Sequence, residues 1–404
     1  MRSALANAWL RAAACATTVA RVAAAACLLA AVAGCGRLGF DERGGGDAAG
    51  GGGDTSGDGP SVTRWSRLTA YTNASCGIYA NNVYCWGDNG SGQIGVMTAG
   101  SSAATPQQVP LPAGTVRDLS MGDSAACAIV DTDLWCWGSL GAPAPTRIAL
   151  GMPATAVSVG HGFQCAIATG AVCWGTNTAG QLGTGDNNAR SIPSAVKQGG
   201  AFVAIEAGDD HACALDASNA AWCWGHNDDG AIALPIATNS SNSPVAQPAG
   251  VTTLPQIAGW HTCALSAGTV RCWGEGDHGE LGNGGTSNSS AAVTVTGLAA
   301  PTAIATGGGP SDGDASCAID GSAIRCWGNG FFGRLGQGTA NQSLTPVTVV
   351  GLPAAQPLEV AIGDDHACAA LDDGSVWCWG RGDAGQLGDG RSMSSLAPVR
   401  VVNP

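Results

Sequence analysis

Near copies of one stretch, residues 207–225 (AGDDHACALDASNAAWCWG), occur seven times along the chain, and this repetition restricts the fold more than any other feature. Each copy holds two short apolar runs with one cysteine apiece, separated by turn formers, and each ends in Cys-Trp-Gly. In residues 212–216 and 221–224 the side chains alternate, and 216–220 is rich in turn residues, so the stretch reads as a β-hairpin. On its second strand Trp222 and Trp224 share one face and Cys223 takes the other. Both faces are apolar, so the hairpin needs cover on two sides.

Each copy pairs its two cysteines: Cys76 with Cys85, Cys127 with Cys136, Cys165 with Cys173, Cys213 with Cys223, Cys263 with Cys272, Cys317 with Cys326, and Cys368 with Cys378. Antiparallel strands joined by such short turns would set each pair face to face, with Cα atoms about 4.5–5.5 Å apart, a separation a disulfide spans. Zinc favours close C-x-x-C pairs, which this chain lacks. Seven disulfides, each within its own hairpin, are expected. A loop this short contributes roughly 2–3 kcal/mol per bond, which matters in a chain with 63 glycines and few Phe, Leu or Met.

Of the 17 cysteines, Cys15, Cys27 and Cys35 stand apart near the start. Residues 1–34 read as an export signal: Arg2, Arg11 and Arg21 precede an apolar run, 22–33, that is short for a membrane span. The run ends in Val32-Ala33-Gly34-Cys35, which resembles the lipobox of bacterial lipoproteins and implies lipidation of Cys35. Ala24-Ala25-Ala26-Cys27 is a weaker rival. Residues 35–61 are rich in Gly and Asp and read as a flexible tether of about 30 Å reach. Export to an oxidising compartment is what the even set of hairpin cysteines requires.

Residues 62–404 hold the repeats. Their markers Trp86, Trp137, Trp174, Trp224, Trp273, Trp327 and Trp379 fall 37 to 54 residues apart, a period that short strands and turns give in β-propellers. Most units add a Gly-x-[Leu/Ile]-Gly turn, as in Gly180-Gln181-Leu182-Gly183, and then a Pro-led strand. Repeat two drops that turn, and repeat four has Gly230-Ala231-Ile232-Ala233 in its place.

Trp-Gly, Gly-Gln-Leu-Gly, Pro-x-x-Val and Gly-x-x-His-x-Cys-Ala-Leu together resemble the repeats of the regulator of chromosome condensation family. The resemblance covers 62–404 and implies an all-β, seven-bladed propeller. No Pro-led strand precedes blade one, and the chain ends on Pro398-Val399-Arg400-Val401. The last strand is therefore expected to complete the first blade and close the ring.

Candidate chemistry is sparse. His211, His261 and His366 recur two residues before a hairpin cysteine, which points to a structural role in the blade. His161, His226 and His278 are scattered, with no ligand cluster legible around them. The repeat tryptophans are assigned to packing between blades; Trp260 lies outside that position and is the aromatic candidate for a ligand. Asp186, Asp228-Asp229 and Asp312-Gly313-Asp314 lack the spacing of a calcium loop and read as solvated turns. No Ser/His/Asp arrangement, phosphate loop or paired catalytic carboxylates stands apart, so no cofactor, metal or catalytic residue is assigned.

With 17 basic and 30 acidic residues the net charge is −13, and Lys197 is the sole lysine. Such a surface repels nucleic acid, which is bound by neutralising phosphates. The expected function is that of a lipid-anchored, exported propeller binding a protein partner through its loops, with 226–244, 283–290 and 306–314 as contact surfaces. Guanine nucleotide exchange is the activity the family resemblance brings, and export away from the nucleotide pool opposes it. A secreted enzyme inhibitor and a polysaccharide-active surface enzyme are further alternatives.

Overall fold

The computed structural model describes residues 64–97, 100–139, 142–197, 201–248, 250–309 and 313–404. The expected export signal, Cys35 and the tether lie outside the described residues. The described chain is a seven-bladed all-β propeller of seven four-stranded antiparallel sheets, with a single 3-10 turn, Phe331–Gly333. The blades span 65–108, 116–148, 156–195, 202–246, 256–294, 301–348 and 357–400, and each uses four consecutive strands in simple order.

The repeated stretch forms the second and third strands of every blade. In blade four these are His211–Asp216 and Ala221–His226, paired with Cys213 directly opposite Cys223. The same register sets Cys76 opposite Cys85, Cys127 opposite Cys136, and Cys165 opposite Cys173. It also sets Cys263 opposite Cys272, Cys317 opposite Cys326, and Cys368 opposite Cys378. All seven pairs form disulfides within their own blades, as the hairpin reading expects. Their Cα separations, 4.0–4.1 Å, are shorter than the expected range. They match the closer kind of facing antiparallel pair, which exchanges no backbone hydrogen bonds.

Second strands such as Ala125–Val130 and His366–Leu371 are buried at every residue. Their small Ala and Cys side chains let neighbouring sheets approach from both sides, and the apolar clusters span neighbouring blades. One cluster joins Phe163, Cys165 and Leu182 of blade three to Ala212, Ala214 and Trp224 of blade four. The first strands form the inner ring and are linked by side-chain hydroxyls. Thr69 Oγ1 accepts from Met121 N, Ser120 Oγ from Val159 N, and Ser158 Oγ from Ala207 N.

Closure differs from the expectation. The final strand, Ser395–Arg400, pairs with the third strand of blade seven, with Val399 opposite Cys378 and Arg400 opposite Trp377. Blade one is completed by its own fourth strand, Ser102–Gln108. The Pro-led strand always pairs with the Trp strand before it in sequence, so none is left over. The ring closes side by side: Trp65, Leu68 and Trp86 of blade one pack with Cys368, Leu387 and Val401 of the last repeat.

The seam is built by the Gly-x-[Leu/Ile]-Gly turn. Its last amide donates to its first carbonyl, as in Gly183 N to Gly180 O at 2.9 Å, and both glycines have positive φ. A Cβ on Gly180 would lie 2.6 Å from Asn242 Cα of the next blade, and one on Gly183 would lie 2.8 Å from Trp224 Nε1. Glycine is required at both places by this approach as well as by the backbone. The second turn residue then offers its carbonyl to the indole: Trp224 Nε1 donates to Gln181 O at 2.9 Å. Trp86, Trp137, Trp327 and Trp379 donate in the same way to Gln386, Gln93, Glu280 and Arg334. Trp174 follows the repeat that drops the turn, and it packs instead among Leu134, Cys136 and Ala154 on the blade-two side of its seam. The repeat tryptophans thus pack in the seams between blades.

Blade four breaks the pattern with visible results. Ala233, at φ 58°, stands where the second glycine belongs, and Trp273 Nε1 is buried with no hydrogen-bond acceptor. The Ala231 carbonyl is taken instead by Thr262 Oγ1 at 2.8 Å. Trp224→Phe removes a made bond, whereas Trp273→Phe removes an unsatisfied buried donor. The first is expected to cost about 1 kcal/mol more than the second in denaturant unfolding. Equal losses would show that the indole bond adds nothing to the seam.

Candidate binding face

In a four-stranded meander the turn after the first strand and the turn after the third leave the same edge of the sheet. One face of the ring is therefore built from these two loops of every blade. Its loops carry Asp123, Asp186, Asp209, Asp210, Asp228, Asp229, Glu275, Asp277, Glu280, Asp314, Asp364, Asp365, Asp383 and Asp389 against Arg334, Arg381 and Arg391. The turns of the opposite face carry Asp131, Asp372 and Asp373, while Lys197, after a fourth strand, lays its side chain against Gly185 of the preceding loop. The acidity seen in the composition is thus concentrated on one side. The three insertions 226–244, 283–290 and 306–314 all belong to this face, with 310–312 outside the described residues.

Near the axis the loops converge on a polar plug. Tyr71 OH of blade one donates to Asp209 Oδ1 of blade four. Thr72 N donates to Asp364 Oδ1 at 3.2 Å, and Thr72 Oγ1 to Asp123 Oδ1 at 2.9 Å. Arg381 Nη1 lies 3.3 Å from Asp365 Oδ2. Burial, then the neighbouring carboxylates Asp209 and Asp364, hold the Tyr71 phenol well above its ordinary range. Burial likewise pushes Asp209 well up, against the Tyr71 hydrogen bond that favours its charged form. Asp364 is pushed up to about 7 by burial and then by Asp365. Glu275, further out, is pushed up to about 8 by burial and then by Asp314 and Glu280. Arg334 is buried beneath these groups, and burial lowers its affinity for its proton.

The repeated histidines lie in the seams. His211 Nε2 stands 3.0 Å from Thr262 Oγ1, His261 Nε2 2.8 Å from Ser316 Oγ, and His366 Nε2 2.7 Å from Ser75 Oγ. In each case the hydroxyl belongs to the second strand of the next blade. Blades with Ala or Phe in place of the His, at Ala74, Ala125, Phe163 and Ala315, are followed by Ala126, Gln164, Ala212 and Ala367 at the hydroxyl position. Burial lowers His211 to about 3 and His366 to about 4, so both are neutral at physiological pH.

One seam joins three residue types that the sequence left apart. His261 Nδ1 lies 2.8 Å from Asp314 Oδ2, and His261 Nε2 faces Ser316 Oγ. The connectivity is that of a Ser-His-Asp triad, but all three residues are 0% exposed. No substrate reaches Ser316, and His211 and His366 repeat the hydroxyl contact without an acid partner from the next blade. The constellation is a structural joint.

Other sequence-derived candidates resolve as follows. Asp314 is buried and also accepts from Trp260 N at 2.9 Å, so it is not a solvated turn. Asp186 closes its own turn with Asn188 N and Arg190. Asp228 pairs with His226 at 3.0 Å, and Asp229 accepts from Asn288 at 2.6 Å. Trp260 is partly buried, edge-on to His226 with ring centroids 4.6 Å apart, and offers no open stacking platform. His161 lies at the rim, 3.8 Å from Asp123. His278 does gather ligand-type neighbours, Asp277 and Glu280, contrary to the sequence reading. The cluster was hidden because Glu280 occupies a repeat position that in blades one, three and seven holds Gln.

Geometry and repeats together define a propeller of covalently stapled blades. Profiles of the regulator of chromosome condensation (RCC1) repeat match residues 81–129, 172–215, 326–370 and 373–404, and a second RCC1 repeat profile matches 202–231 and 359–386. The chain thus carries RCC1 repeats over these residues. It is 27% identical over 239 residues to the mouse E3 ubiquitin-protein ligase HERC2, a match covering 56% of this chain and 5% of that protein. The chain thus spans a small part of this relative's length. Among solved structures, human WBSCR16 superposes with a TM-score of 0.71 at 22% identity, covering 80% of this chain and 94% of that one. Prp20p from Saccharomyces cerevisiae, described with its binding to Gsp1p and histones, superposes with a TM-score of 0.66 at 18% identity, covering 85% and 88%.

The plug makes stability depend on pH. The native protein holds the Asp364 proton up to about pH 7, whereas the unfolded chain releases it near the ordinary carboxyl value. Ionisation therefore erodes stability as pH rises from about 4 to about 7, by up to about 1.4 kcal/mol per pH unit. Asp364→Asn, which keeps an acceptor for Thr72 N, is expected to gain on the wild type progressively across that window in denaturant unfolding. A difference that does not vary with pH would contradict this role.

Proposed function

We propose that the chain is a lipid-anchored propeller of the bacterial cell envelope that binds a protein partner through its acidic loop face, and that the partner presents a Lys/Arg-rich segment. The carrying observation is the one-sided placement of acidic groups: fourteen carboxylates named above lie on the loops of one face against three arginines, and while Asp209, Glu280, Asp314 and Asp365 are buried, Asp228, Asp277 and Asp383 are exposed to carry the charge. Asp228 and Asp277 are exposed and Asp123 is half-buried, from three different blades. A field spread over a rigid ring attracts and orients a cationic partner more than it fixes affinity at any one contact. The description of Prp20p with protein partners supports a binding role for this fold. The lipobox-like Val32-Ala33-Gly34-Cys35 and the full pairing of the hairpin cysteines support export and anchoring. Among the described residues no arrangement on the binding face favours the ligase activity named for HERC2.

The test is fluorescence anisotropy with an Arg/Lys-rich peptide and an acidic peptide of equal length. The basic peptide is expected to bind, weakening steeply with salt. Asp123→Asn and Asp228→Asn should each weaken it up to about fivefold, the scale of an exposed ion pair. Equal binding of the two peptides would overturn the reading of the face. The anchor is tested separately: Cys35→Ser should move the protein from the membrane fraction to the soluble fraction, and unchanged fractionation would refute lipidation at Cys35.

A further inference from the structure

The Gly-x-[Leu/Ile]-Gly turns of blades one, three and seven hold Gln93, Gln181 and Gln386, and all three do the same two things. Oε1 accepts from the amide two residues earlier, at 2.9 Å in each case. Nε2 donates to a side-chain oxygen: Asp88, Asp210 or Asn73. Blade five has Glu280 there. Its Oε2 keeps the first role, accepting from His278 N at 2.9 Å. Its Oε1 stands where the others carry a donor, and it is buried without a hydrogen-bond partner in a residue that is 0% exposed.

An acceptor in place of a donor, out of water, calls for positive charge. The surroundings carry both signs and pair none of them with Oε1: His261 favours the charged carboxylate, Asp314 opposes it, the buried Arg334 acts on it from further off, and Glu275 Oε2 is likewise buried and unpartnered. What faces Glu280 Oε1 is a pair of further metal-ligand types from the same loop. His278 Nδ1 lies 3.3 Å from it and 2.6 Å from Asp277 Oδ1. The three donor atoms all fall within 4.8 Å of one another. Donors at metal bonds of about 2.0–2.2 Å stand about 3–3.5 Å apart, so small adjustments bring these three to one ion. The side chain of Glu280 is fully buried, while those of Asp277 and His278 are 57% and 36% exposed, giving a floor and an open mouth.

We infer that Asp277, His278 and Glu280 form a site for a divalent first-row cation, Zn²⁺ or Mn²⁺, on the loop between the third and fourth strands of blade five. One imidazole with two carboxylates suits these ions better than Ca²⁺, which prefers six to eight oxygens. The remaining coordination positions open toward the loop face.

The test uses the full chain, stripped with chelator and titrated by calorimetry with Zn²⁺, Mn²⁺ and Ca²⁺ separately. One equivalent of Zn²⁺ or Mn²⁺ is expected to bind and to raise the melting temperature. Glu280→Gln installs the residue that three other blades carry in the same turn, so it should fold and melt as the stripped wild type does or higher. It should lose at least tenfold in affinity for the ion. His278→Ala should lose affinity as well. The inference is overturned if the wild type binds no stoichiometric ion, if it binds Ca²⁺ alone, or if Glu280→Gln binds as tightly as the wild type. The last result would place the ion elsewhere, as at His226 and Asp228.

Discussion

Sheets arranged as a ring must satisfy every seam between neighbours, because only the connecting chain and side-by-side contacts hold blade to blade. Here the disulfides staple the middle strands within each sheet, and among the described residues none crosses from one blade to the next. The seam is instead a repeated device: a glycine turn that lies flat against the next blade, a buried Leu or Ile at its centre, and an indole that donates to its carbonyl. Glycine allows the approach, the apolar side chain removes water, and the indole N–H satisfies a carbonyl that would otherwise be buried unpaired. A second device, imidazole against hydroxyl, reinforces three of the seams.

The interior that results is built from small side chains. Ala, Cys and Gly let the sheets come close but bury little area each, so the large buried groups are the tryptophans. Covalent stapling of each hairpin offsets part of what a thin core lacks. The polar plug sits where seven first strands leave an axial opening that these side chains cannot fill. Carboxylates drawn in there become partly protonated and share hydrogen bonds with Tyr71 and Thr72, which turns an unfilled centre into a pH-sensitive one.

Much of this is legible in the residues. Hairpin, cysteine partner and blade count all follow from a local repeat, because strand pairing inside a hairpin depends on neighbours in sequence. Cys85, Cys136, Cys173, Cys272 and Cys326 each meet the cysteine eight or nine residues before them for that reason. The irregular repeats are legible too, and Ala233 shows their effect at Trp273. Closure is not: a Pro-led strand at the chain end suits blade one in sequence order, and only its register with Cys378 ties it to blade seven. The histidine seams are legible only as structural, since the partner hydroxyl lies 51 or 55 residues away, or at the far end of the chain for His366 and Ser75. Glu280 reads as an ordinary turn residue, because a Gln-to-Glu difference changes meaning only once it is buried.

The sequence by itself determined the strands, their hairpin pairing through sulfur, and the acidic balance, since each rests on local spacing or on composition. The tertiary structure decided what depends on circular order: which strand shuts the ring, which His meets which hydroxyl, and that nearly all loop carboxylates come to one face. Antiparallel strands return the chain to the same edge every second turn, and only the assembled ring converts that alternation into a charged surface and a buried, ligand-poor Glu280.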